Sequence, residues 1–131
     1  MNDYSNIDGK YYQIIYHIVF CARYRRKLFK IPHLETRFAE LVREVCAQNE
    51  MQLIDAKCDL DFCYLIIKVA PSMSAGGAIA KIKGYTGRKL LSEFEEFSKT
   101  QNLWTRNYLV STEPIPQSLI DMFREKQVTH Y

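Results

Sequence analysis

Two stretches of this chain are apolar on both faces of an extended strand, and three others carry an apolar stripe at helical spacing. Tyr11 to Ala22 (YYQIIYHIVFCA) is rich in β-branched and aromatic residues, which favour pleated backbone. Alternation puts Tyr12, Ile14, Tyr16, Ile18 and Phe20 on one face and Gln13, Ile15, His17, Val19 and Cys21 on the other, so a central strand is expected. Phe62 to Val69 reads the same way: Phe62, Tyr64, Ile66 and Lys68 face one side, and Cys63, Leu65, Ile67 and Val69 the other. The spacing also predicts a short strand over 52–57, paired antiparallel with it through Asp59-Leu60-Asp61, and a last strand over 103–112.

Pro32 suits a first helical turn. Leu34, Phe38, Leu41 and Val45 recur at i, i+4, i+7 and i+11, a stripe that runs to about Asn49. Ser74-Ala75-Gly76-Gly77 opens a second helix, expected over 78–97, with Ile79, Ile82, Leu90, Phe94 and Phe97 along one side. A final helix, 116–127, has Leu119, Ile120 and Phe123 on its apolar face and Gln127 one turn further. The order strand–helix–strand–strand–helix–strand is that of an α+β, ferredoxin-like split βαβ fold with a four-stranded antiparallel sheet. The extra C-terminal helix would then need another surface, such as a partner subunit.

At 131 residues and 47% hydrophobic, one domain with a proper core is expected over 11–131, after a flexible leader over 1–10. No run of about 18 apolar residues is present, so no membrane span is expected. Residues 1–6 carry no secretory pattern. Cys21, Cys46, Cys58 and Cys63 lack metal-type spacing and sit in apolar segments, which suits buried free thiols in a cytoplasmic protein.

Net charge is only +3, but its distribution is uneven. No acid lies between Asp8 and Glu35, where Lys10, Arg23, Arg25, Arg26, Lys27 and Lys30 fall. That suits an anionic partner or, equally, a solvated basic loop. On the second helix Lys81 and Arg88 share the side away from the apolar stripe. Lys83 sits about 40° from Ile79, at the stripe's edge, where it either snorkels or reaches into a site. The cluster Glu93, Glu95, Glu96 reads as a solvated end. His17 reads as a packed, hydrogen-bonded histidine.

Three segments together resemble the small single-tyrosine transposases of bacterial and archaeal insertion sequences, members of the HUH nuclease class that include relatives associated with repetitive palindromes. They are Tyr16-His17-Ile18-Val19-Phe20-Cys21-Ala22-Arg23-Tyr24-Arg25-Arg26, Ile82-Lys83-Gly84 with Arg88-Lys89-Leu90-Leu91, and Leu103-Trp104-Thr105-Arg106-Asn107-Tyr108-Leu109-Val110-Ser111-Thr112. The resemblance implies a central strand with a His-hydrophobic-His pair, after a Pro-Asp turn, that binds magnesium or manganese. It also implies a nucleophilic tyrosine on the last helix and a glutamine one turn later. In this chain the acidic turn residue is Asp61 and the glutamine is Gln127, but the two histidine positions hold Phe62 and Tyr64, and the nucleophile position holds Phe123. Losing a covalent nucleophile costs on the order of 10⁶ in rate.

The expectation is therefore a catalytically inactive, transposase-like homodimer with no metal cofactor, its former pocket closed by Phe62, Tyr64 and Phe123. It would bind hairpin or single-stranded DNA, or RNA, through Arg23, Arg25, Arg26, Lys27, Lys81, Lys83, Arg88, Lys89 and Arg106. The rival readings are an active enzyme with substitute ligands (Asp59, Asp61, Gln127, with a hydroxyl from Tyr64, Tyr108 or Tyr131) and a protein-interaction module.

Overall fold

The computed structural model describes residues 4–127. A four-stranded antiparallel sheet is built from β3 (Ile14–Cys21), β4 (Gln52–Asp59), β5 (Phe62–Val69) and β6 (Leu109–Ser111), in the order β4-β5-β3-β6. Helices α1 (Leu34–Gln48) and α2 (Ala75–Glu93) connect β3 to β4 and β5 to β6. This is the mixed α+β, split βαβ arrangement, with α3 (Gln117–Lys126) added at the end. β3 and β5 are the inner pair and align along their full length, from Ile14 opposite Val69 to Cys21 opposite Phe62. Among the described residues no helix is long and apolar enough to cross a membrane.

The two faces of the inner strands hold two separate clusters. On one, Ile18 and Phe20 of β3 and Cys63, Leu65, Ile67 and Val69 of β5 pack under Leu34, Phe38, Leu41 and Val42 of α1 and Ala78, Ile79, Ile82 and Leu90 of α2. On the other, Val19, Cys21 and Phe62 pack against Ile115, Ile120 and Phe123. The last helix thus finds its surface on its own sheet, whereas the sequence reading looks to another surface such as a partner subunit. The reason lies in the strands, whose two-sided apolar pattern leaves a second face to cover. Leu119, expected on the buried side of α3, is instead 37% exposed.

Several boundaries differ from the sequence expectation. Ser5–Ile7 (β1) pairs with Lys10–Tyr12 (β2) through Asp8-Gly9, so residues 5–10 of the stretch read as a leader belong to a small ribbon. α2 starts at Ala75, not at 78, because the Ser74 side chain caps it, accepting the Gly77 N–H at 3.0 Å. A Cβ on Gly77 would fall 2.9 Å from that hydroxyl oxygen, so the cap requires glycine there. α2 ends at Glu93, and 95–97 form a separate 3-10 turn. Glu93 is not merely solvated: it accepts from Arg37 Nε at 2.7 Å and Nη2 at 2.9 Å, tying α2 to α1.

The last strand is broken. Its first part follows the end of β3, with Thr105 N–H donating to Cys21 O and Arg23 N–H to Leu103 O, both at 2.9 Å. It rejoins only at Leu109, opposite Val19. Two residues on β3 therefore face four on the last strand, and residues 106–108 loop out as a bulge. Trp104, at the start of this segment, enters the helix-side core. Its ring lies 4.9 Å from Phe20, and its indole N–H donates to Thr86 Oγ1 at 3.1 Å. Thr86→Val would leave that buried N–H unpaired, and we expect a loss of about 1–3 kcal/mol, read as a shifted midpoint in urea unfolding.

Candidate functional site

The tight β4–β5 connection, with Leu60 at φ 48, presents Asp61 at the end of β3. Asp61 is only 3% exposed. Its carbonyl accepts the Ala22 N–H at 2.7 Å, and the Leu60 carbonyl accepts the Phe29 N–H at 3.0 Å. Its carboxylate takes Arg25 Nε on Oδ2 at 3.0 Å, and Arg124 on Oδ1 through Nε at 3.0 Å and Nη2 at 2.9 Å. The Arg124 guanidinium also lies 4.6 Å from the Phe62 ring centre. Arg124 was not singled out from the sequence. Its position one residue after Phe123, on the face of α3 toward Asp61, was the available signal.

Phe62 and Phe123 share the second-face cluster, and Tyr64 packs against it. The Tyr64 hydroxyl is within 2.7 Å of His17 Nδ1 and accepts the Ile115 N–H at 2.9 Å. His17 is thus hydrogen-bonded, as expected for a packed histidine. Gln127 is buried, donates from Nε2 to the Phe123 carbonyl at 3.2 Å, and leaves its Oε1 without a partner. The rings do come together, but the corner is not sealed. An open groove of about 710 Å³ runs past Tyr64, Phe62 and Ile115 to Asp55, Lys57 and Asp59 on β4.

These donors do not suit a divalent ion. Of the two expected histidine positions, Phe62 offers only a phenyl ring and the Tyr64 hydroxyl is engaged by His17 and the Ile115 N–H, while the Asp61 carboxylate is already neutralised by two guanidinium groups. Among the described residues no group of three or more His, Cys, Asp or Glu is arranged to hold a metal. Gln127 Oε1 is an unpartnered oxygen, but one amide oxygen is not a coordination shell. Tyr131, one of the substitute hydroxyls, lies outside the described residues.

The basic residues separate into groups. Arg25 is committed to Asp61. Arg26 donates to Thr100 Oγ1 at 2.9 Å and Glu96 O at 3.2 Å, with its guanidinium 4.8 Å from the Phe97 ring centre. Both act first as ties within the fold, a role their position in a basic run did not reveal. Lys27 and Lys81 are exposed. Lys89 is exposed, with its ammonium 5.7 Å from the Tyr85 ring centre. Arg88, Arg106 and Lys83 line one cleft of about 370 Å³, while Arg23, Arg26 and Lys99 line its neighbour of about 330 Å³. Lys99 is a cation the sequence reading passed over.

Lys83 resolves the choice left open by its place at the stripe's edge: it reaches inward. Its ammonium donates to the Thr105 carbonyl at 2.5 Å and lies 3.5 Å from the Asn107 carbonyl, at the base of the 106–108 bulge. Burial pulls it from the usual 10.5 down to about 8. Since burial disfavours the charged form, Lys83 contributes most favourably above about pH 10.5, and the contribution falls as pH drops toward about 8. Side-chain NMR of Lys83 should show titration near 8, and Lys83→Met should abolish that signal and loosen the amides of 106–108 in hydrogen exchange. For Asp61→Asn, full rupture of a buried pair costs roughly 3–5 kcal/mol. We expect a smaller loss here, because the Arg25 side chain is 35% exposed, yet a greater one than for Arg25→Gln, both read by urea unfolding.

Residues 10–121 match the profile of the IS200-like transposases, and the chain belongs to that family. The transposase for insertion sequence element IS200 of Salmonella typhimurium is 26% identical over 117 residues, covering 86% of this chain and 75% of that protein. The ISDra2 transposase TnpA of Deinococcus radiodurans is 22% identical over 107 residues, covering 79% and 76%. The fold matches the crystal structure of a candidate transposase from Deinococcus radiodurans at TM-score 0.80, with 20% identity and coverage of 94% and 97%. It also matches a REP-associated tyrosine transposase bound to a REP hairpin at TM-score 0.57, with 9% identity and coverage of 90% and 67%. The family match stops at residue 121, before Phe123 and Gln127.

Proposed function

We propose that this transposase-family chain binds hairpin or single-stranded nucleic acid and does not cut it. One observation carries the reading: Phe62, Tyr64 and Phe123, which the sequence resemblance assigns to the metal and nucleophile positions, pack in one cluster in which the single hydroxyl is held by His17 and the Ile115 N–H. A phenyl ring neither ligates a metal nor forms a phosphoester, and no metal cofactor belongs to this reading. Binding is supported by the family and by the fold-level neighbour that was solved with a REP hairpin. It is supported too by the exposed cations Lys27, Lys81, Arg88, Lys89 and Arg106, with Arg23 at the cleft. Arg25 and Lys83 set the shape of this surface from behind it, and Arg26 ties its walls from the cleft itself. Such contacts give affinity, and hairpin shape gives selectivity. A two-fold dimer in the cytoplasm completes the proposal; a monomer near 15.4 kDa by light scattering would count against it.

A second reading has one observation in its favour. His17 Nδ1, 2.7 Å from the Tyr64 hydroxyl beside an open groove, is the geometry that would activate a nucleophile. One assay separates the two. The protein is incubated with single-stranded hairpin DNA and magnesium or manganese, then run on a denaturing gel. We expect intact DNA and no covalent protein–DNA species. An adduct would overturn the non-cutting proposal, and its loss in Tyr64→Phe would assign the nucleophile. In the same mixture, fluorescence anisotropy should show binding that weakens with salt, and Arg88→Ala and Arg106→Ala should each lower the salt slope by about one.

A further inference from the structure

We propose that the cleft between α2 and the 101–106 segment seats a phosphate of the bound strand against Arg88 and Arg106, and that Lys83 beside them makes this binding proton-linked. The inference rests on the nucleic-acid reading above and adds to it the group that is held, a positioning residue and a dependence on pH. The cleft, of about 370 Å³, is lined by Lys83, Arg88 and Arg106 with the amides Gln101 and Asn102, and among the described residues no acid lines it. Lys83 is half-buried. It donates to the Thr105 carbonyl at 2.5 Å, with the Asn107 carbonyl at 3.5 Å. A cation withdrawn from water is held by a counter-charge or gives up its proton. Here three cations share one cleft, and the counter-charge is what the described residues do not supply.

The other ionisable groups around Lys83 leave its charge uncompensated. Cys63 on β5 and Cys21 on β3 face it from the sheet, and burial keeps both as neutral thiols, Cys21 up to about 12. Arg88 and Arg106 in the cleft only add positive charge. Burial therefore leaves Lys83 at about 8. A phosphate in the cleft favours the charged form and raises that value. Below about 8, Lys83 is charged with or without the strand, and affinity is constant. Above it, binding must recruit a proton, so affinity falls as pH rises through about 8 toward the raised value. The same proton strengthens the cleft's wall. A charged Lys83 makes charge-assisted bonds to the carbonyls at the base of the bulge that carries Arg106, so the guanidinium is held at the cleft in the form that binds. A free phosphate offers the same chemistry as a phosphate of the strand, and the test separates the two.

The test follows hairpin DNA binding by fluorescence anisotropy between about pH 7 and about pH 9.5, at one ionic strength. Wild-type affinity should fall about tenfold across that range, which is what a displacement of about one pH unit amounts to. Lys83→Arg, charged throughout, should bind well at both ends and lose the fall. Lys83→Met should bind at both ends as weakly as wild type does at the alkaline end. Side-chain NMR needs no variant. The Lys83 titration should move up by about one pH unit when the hairpin is added, and inorganic phosphate alone at the same concentration should leave it in place. No binding of the hairpin at any pH would overturn the nucleic-acid reading and this inference with it. Binding of equal strength across the range, or an equal fall in Lys83→Arg, would overturn the inference alone. So would a Lys83 titration that the hairpin leaves unmoved, whether or not inorganic phosphate moves it.

Discussion

A single carboxylate organises one end of this molecule. Asp61 is nearly sealed from solvent yet shared between Arg25, from the turn after β3, and Arg124, from α3. Charge buried to this degree is tolerated only when paired and hydrogen-bonded, so the positions of both arginines follow from that of Asp61. Through Arg25 it stabilises two left-handed residues, Tyr24 and Arg25, and through Arg124 it holds the last helix over Phe62. The turn after β3 and the helix that covers the second sheet face are therefore mechanically one unit, joined at a carboxylate on the hairpin between β4 and β5.

The fold was largely legible because its strongest signals are periodic. Two strands apolar on both faces had to be central, and their partners and the two long helices followed from spacing. What periodicity did not convey was local hydrogen bonding. The start of α2 depends on a serine cap, the break in the last strand on a lysine reaching carbonyls, and the ribbon at 5–12 on a turn at Asp8-Gly9. Each is settled by one or two polar contacts, which leave the hydrophobic pattern unchanged. α3 was misjudged for a related reason: strands apolar on both faces already implied that something in the chain would cover the second one.

At the site, residue identities carried further than residue roles. Phe62, Tyr64 and Phe123 do converge, and Lys83, Arg88 and Arg106 do share a cleft. A run such as Arg25-Arg26, however, reads as uniform positive charge when it is a sequence, whereas in space its members diverge. One is held by Asp61 and the other by Thr100, Glu96 and Phe97. The position of a cation along the chain fixes neither its direction nor its partners. Tyr64 shows the converse. Expected from the sequence resemblance to stand at a histidine position, it connects a strand histidine to the Ile115 backbone and so links β3, β5 and the segment entering α3.

The four thiols are free, and three are buried. Burial pushes Cys21 up to about 12 and Cys46 up to about 11, and Cys63 lies well above its ordinary range. Near neutral pH these are unreactive thiols, poor targets for oxidants and alkylating reagents while the protein stays closed. Their burial turns them into clocks for different opening events. Cys21 lies under α3 and Cys63 under the two long helices, so the rate of alkylation at the first reports undocking of the terminal helix, and at the second the opening of the main core. The chain thus carries its own pair of native-state probes, one for each layer of its interior.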